Sequence, residues 1–147
     1  MSTLGELQSL YAQVRQEEQN YWKELRATLG DVLHRLAVVL GLDPKSPVLL
    51  NLGVINSEGK FCRASIEQLP KNDRTLEFAL QIVLSQEPSL VPPNLIETGW
   101  SIRETRDGID LVHKDERFTR FDDASDAATH ITKVFEKKIS SFSPYID

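Results

Sequence analysis

The strongest constraint on this chain lies in residues 4 to 42, which contain no proline and carry one apolar series at helical spacing. Leu7, Tyr11, Val14, Trp22, Leu25, Leu29, Val32, Leu36 and Leu40 recur along it, interrupted only by Glu18. Leu7 to Leu40 is 33 residues in nine steps, about 3.67 per turn, so the stripe runs almost straight along a helix. Gln16, Glu17, Lys23, Glu24 and Arg35 supply the solvated side. Gly30-Asp31 is the internal weak point, because glycine costs about 1 kcal/mol in a helix interior and aspartate can cap a new start. Gly41 followed by Asp43-Pro44 predicts the stop. Val32 to Leu42 is the most apolar portion and is expected to pack on the body of the domain.

The length of this helix has a consequence. Unbroken, about 37 residues make roughly 55 Å of helix, whereas a body of about 100 residues has a radius of gyration near 13 Å. The helix is expected to overhang its body and to present Leu7, Tyr11, Val14, Tyr21 and Trp22, with Leu25 at the root. These six are the predicted partner-binding residues, since apolar side chains on a projecting helix call for a partner. The same helix of a second copy, giving a homodimer, or a different protein would serve. The opposing expectation is a break near Gly30 that folds the first half back over the open face of a sheet.

From residue 47 to 114 the period changes to two. Val48, Leu50, Leu52 and Val54 alternate with Asn51 and Gly53, and Asn56-Ser57-Glu58-Gly59 reads as a turn. Cys62, Ala64 and Ile66 form the expected inner face of a second strand. Leu76, Phe78, Leu80, Ile82 and Leu84 mark a third after a loop at residues 69–73, completing a three-stranded antiparallel meander. Pro88 and Pro92-Pro93 require an irregular connection. Trp100, Ile102, Ile109 and Leu111 then form the inner row of a hairpin turning at Arg106-Asp107-Gly108.

A C-terminal helix is predicted from about Ala124 to Ile139, within a span of 122–140. Asp122 or Asp123 is its cap, and Lys133, Lys137 and Lys138 lie toward its end. Residues 141–147 read as a tail. The predicted architecture is a single α+β domain over 1–147: a long N-terminal helix, a roughly five-stranded antiparallel sheet and a C-terminal helix packed on one face.

Motifs for chemistry are sparse. His34, His113 and His130 stand at no metal-ligand spacing, and neither an HExxH pattern nor a glycine-rich phosphate loop occurs. No catalytic residue, metal site or cofactor is expected. Asp107, Asp110, Asp115 and Glu116 do not follow a calcium-loop pattern. Cys62 is the single cysteine, too few for an intramolecular disulfide, and is expected in the interior. Arg103, Arg106, Lys114, Arg117 and Arg120 interleave with Trp100, Phe118 and Phe121, as in some single-strand nucleic-acid binders, but seven acids accompany them. The formal net charge of −5 also repels phosphate, so no nucleic acid is expected. No run reaches the roughly 18 apolar residues of a membrane span and the start lacks a signal-peptide pattern, which together predict a cytoplasmic protein with no membrane partner.

In size, charge and element order the chain is similar to small acidic α+β dimers among secretion chaperones. Those carry a helix between their third and fourth strands, where this chain has Pro88 and Pro92-Pro93, so the similarity stops at architecture. The function expected is that of a non-enzymatic protein–protein interaction protein, of adaptor, chaperone, regulatory or toxin-neutralising type. It would self-associate through the N-terminal helix. The alternatives are a small enzyme with a site near His113, Asp115 and Glu116, and a nucleic-acid binder acting through the Arg103–Arg120 region.

Overall fold

The computed structural model describes residues 3–42, 49–85, 87, 94–113 and 116–141. The expected loop at Asp43-Pro44, the start of the first strand at Val48, the prolines at 88, 92 and 93, Lys114, Asp115 and the last six residues lie outside the described residues.

Helix α1 spans Leu4–Val39. Thr3 caps it, its hydroxyl accepting from the Glu6 N–H at 3.2 Å. The helix ends where Gly41 takes φ 69°, which lets the Leu42 N–H reach back to the Ala37 carbonyl at 3.0 Å. Gly30 does not break it. A Cβ built there would sit 3.7 Å from Cδ1 of Ile66, so the bare backbone marks where a neighbouring turn packs close to the helix. Asp31 caps nothing and pairs along the helix with Arg35 at 3.7 Å.

Among the described residues seven strands follow, all antiparallel: β1 Leu50–Ile55, β2 Phe61–Arg63, β3 Lys71–Asn72, β4 Thr75–Val83, β5 Leu95–Thr105, β6 Gly108–His113 and β7 Thr119–Phe121. Their order is β2-β1-β4-β5-β6-β7, with β3 also on β4. The α+β class holds. The expected five strands become seven because β3 and β7 are two and three residues long, too short to display a period of two.

The first three strands do not form a consecutive meander. β4 pairs with β1, from Leu50 opposite Ile82 to Gly53 opposite Ala79, and β2 lies outside β1 at the edge. The physical reason is the length of β4: its nine residues need partners along both sides, and a three-residue β2 cannot supply them. β1 fills one side of the later half of β4, and β3 continues that lane along its start, with Lys71 opposite Leu76.

Register aligns the inward rows. Leu76 faces Ile102, Phe78 faces Trp100, Leu80 faces Thr98 and Ile82 faces Ile96; Ile102 in turn faces Leu111. The second hairpin turns as expected, and Gly108 is required there: φ is 150°, and a Cβ would lie 2.4 Å from the Phe121 carbonyl oxygen.

Helix α2, Ala124–Ser140, is capped by Asp123, whose carboxylate accepts from the Asp126 N–H at 2.9 Å. Ala124, Ala127, Ala128, Ile131 and Phe135 are buried along it. They meet Trp22, Leu25, Leu29, Val32 and Leu36 of α1 and the inward rows of the sheet in one core. The small alanines let the two helices approach closely over that face.

Candidate association surface

The body grips α1 only from Tyr21 onward. Trp22, Leu25, Leu29, Val32 and Leu36, at spacings of three and four, are buried against the sheet and α2. The Tyr21 hydroxyl donates to the Arg74 carbonyl and accepts from the Glu104 N–H at 3.3 Å, tying the helix to the β3–β4 turn and to the end of β5. Burial pushes this phenol above its ordinary pKa. The Lys71 ammonium lies 4.8 Å over the Trp22 ring, and the Thr28 hydroxyl donates to Glu104 at 3.3 Å.

Every residue from Thr3 to Asn20 is exposed. The 17 helical residues among them, Leu4 to Asn20, make about 25 Å of helix at 1.5 Å per residue. Leu4, Leu7, Leu10, Tyr11 and Val14 stand 70%, 51%, 56%, 66% and 53% exposed. Of the six predicted partner-binding residues, the structure leaves Leu7, Tyr11 and Val14 open. It takes Trp22 and Leu25 into the chain's own core and half-buries Tyr21. Leu4 and Leu10 join the exposed group. Leu4 was legible, since it continues the series three residues before Leu7; Leu10 flanks the stripe.

Both helices contribute to the core on the face carrying Leu76, Phe78, Leu80 and Ile82, and the opposite face mixes polar side chains with Ala79 and Val112. There the Asn51 amide donates to Gln81 at 3.0 Å and the Gln81 amide to Glu97 at 2.9 Å, a ladder across β1, β4 and β5. Beside it, Gly53, Ala79 and Gly99 are direct neighbours on the same three strands. The small residues leave a shallow hollow of about 230 Å³ bordered by Ile55, Pro70 and Glu77.

Further along this face Asp110, almost fully buried, accepts from Nε of Arg103 and Nε of Arg120, each at 2.9 Å. These are directly opposed residues on β5, β6 and β7. The donating Arg120 guanidinium, with Arg103 adding to it, holds the Asp110 carboxyl below the usual carboxylate value despite burial. Arg103 also stacks on Phe118, 4.0 Å from the ring centre. Two of the arginines that suggested nucleic acid are thus committed to an internal carboxylate, while Trp100 is buried.

The three histidines part company. His34 is exposed on α1. His113, at the end of β6, and His130, on α2, both pack against Trp100, with ring centres 4.9 and 6.1 Å away, and His130 also meets Phe121 at 5.1 Å. Burial holds His130 below the ordinary histidine value; the Glu116 charge opposes this and Lys133 reinforces it. Sequence spacing carried no sign of this pairing, because a strand end and a helix 17 residues later meet only through the fold. Glu116 lies in the loop after β6, its N–H donating to the His113 carbonyl at 3.3 Å, and Asp115 is outside the described residues. Among the described residues no three His, Cys, Asp or Glu side chains are grouped so as to hold a metal ion.

Cys62 departs from expectation: it is exposed, not interior. β2 is an edge strand paired only with the last three residues of β1, and the Asn56 amide donates to Sγ at 3.6 Å. Ala64 and Ile66 are half-buried, Ile66 in the single 3₁₀ turn Ile66–Gln68 that touches α1 at Gly30.

No described helix is long and apolar enough to cross a membrane. No family model, curated protein or solved structure matches the chain.

Proposed function

We propose that this chain is a non-enzymatic interaction protein, of adaptor, chaperone, regulatory or toxin-neutralising type, that works in the cytoplasm and self-associates through the first half of α1. The observation that carries this reading is the overhang, which holds five exposed large apolar side chains beyond the point where the chain's own core ends. The overhang continues a helix that the body already nucleates, so what calls for a partner is its exposed apolar stripe. The hollow on the sheet's opposite face offers a place for a protein partner, and the net charge of −5 favours rapid encounter with a basic one.

The test is solution mass by light scattering across a range of concentrations. The wild type is expected to reach twice the 16.7 kDa chain mass. The double variant Leu7→Glu, Val14→Glu is expected to stay at the single-chain mass with an unchanged far-UV spectrum for the body, since both side chains are clear of the core. A wild type that stays monomeric at every concentration would overturn the reading. So would a double variant that unfolds, because the overhang would then belong to the core.

A further inference from the structure

Leu4, Leu7, Tyr11 and Val14 are spaced three, four and three residues apart, a pattern that reads the same in both chain directions. At 100° per residue these four, Glu18 and the buried Trp22, Leu25, Leu29, Val32 and Leu36 fall in one band about 80° wide. The face that α1 gives to its own body from Trp22 onward is therefore the face left bare from Leu4 to Val14.

That continuity restricts how a second helix can approach. A parallel partner lying on the stripe would run on toward Trp22, where the first chain's sheet and α2 already occupy that side. It would also set Glu18, in mid-band, against Glu18 of its mate. An antiparallel partner heads away from that body, so each body lies beyond the tip of the opposite helix.

We propose that two copies of this chain dock their α1 overhangs antiparallel, about a twofold axis level with Ser9. This inference rests on the self-association proposed above and adds its geometry. Leu4 of each copy lies opposite Val14 of the other, and Leu7 opposite Tyr11, so the same patch serves both sides, as a twofold interface requires. Leu10 flanks the seam. In this register the helix of one copy begins level with Val14 of the other. Glu17 and Glu18 then stand three and four residues past that start, about 4.5–6 Å along the axis. The N-terminal end of a helix carries partial positive charge and favours carboxylates at that place. The acidic break in the stripe, with no apolar role on the overhang, receives a role as an end stop that sets register.

The test is disulfide cross-linking in a Cys62→Ser background. Leu7→Cys and Tyr11→Cys proteins are mixed at low concentration, reconcentrated and oxidised, and the products are resolved by mass. The mixed disulfide is expected to form at least tenfold faster than either homodisulfide. Leu4→Cys with Val14→Cys repeats the measurement at the ends of the seam, covering the case where one substitution weakens association. Homodisulfides of Leu7→Cys forming as fast as the mixed product would overturn the antiparallel arrangement. Absence of cross-linking from both pairs, in samples that light scattering finds dimeric, would place the dimer contact elsewhere and overturn it too. A monomeric wild type would instead remove the self-association beneath it.

Discussion

Gly30→Ala tests the continuity of α1, on which the overhang depends. Gly30 lies well inside the 36-residue helix and its φ is not positive, so an alanine is accepted by the backbone. The added methyl meets Ile66 Cδ1 at 3.7 Å, an ordinary van der Waals contact that displaces nothing. Glycine costs about 0.8–1.0 kcal/mol relative to alanine in a helix interior, and the gain from alanine at compatible sites runs at about 0.4–1 kcal/mol. The expected change is a stabilisation of about 0.5–1 kcal/mol. For a chain of 147 residues that raises Tm by about 1.5–3 °C. Urea unfolding followed by far-UV circular dichroism should give a higher midpoint with an unchanged slope. Wild type and variant are compared at one protein concentration, because association would add its own stabilisation. A destabilisation of about 1 kcal/mol or more would refute the reasoning. It would mean that the chain at residue 30 adopts a conformation alanine cannot take, as in a helix broken and folded back there.

Two further outcomes follow from the sheet. Asp110→Asn removes the carboxylate between Arg103 and Arg120 and should cost about 2 kcal/mol, below the usual range for a broken buried pair because both guanidinium groups are part-exposed. The Asp110 carboxyl is held below its ordinary value in the fold, so its contribution is full above the unfolded pKa near 4 and is lost as pH falls through the lower folded value. The gap between wild type and variant in urea melts should be constant from pH 6 to 8 and close below about pH 4; a gap unchanged down to pH 2 would sink the assignment. Cys62, exposed on edge strand β2, should react with a thiol reagent in native protein at close to the rate seen in denaturant, and slow native reaction would return it to the interior.

Periodicity made much of the architecture readable. The helical stripe, the Asp123 cap and the Gly41 stop are local codes, set by backbone groups three to five residues apart, and the structure uses each where the residues stand. The inward rows of β4, β5 and β6 were legible because apolar residues recur at every second position over six or more residues. Three-residue strands carry no such signal, so β7 was not foreseen. Cys62 does stand opposite Val54 on the core side of the sheet, but β2 is the edge strand and the core ends before it, so the facing was legible and the burial was not.

What the sequence by itself determined is an amphipathic helical pattern from residue 4 to 42, interrupted only at Glu18, with an antiparallel sheet and a capped helix after it; whether the helix broke at Gly30 it left open. The stripe looks the same at Val14 as at Val32, so it could not say where the body ends. Only the tertiary structure decided that Trp22 and Leu25 close the core while Leu7, Tyr11 and Val14 stand free. It also decided that β1 lies between β2 and β4, and that His113 and His130 meet at Trp100. Burial and strand pairing are contests among distant segments for the same surface, and a local pattern records what a residue prefers without recording which segment reaches it.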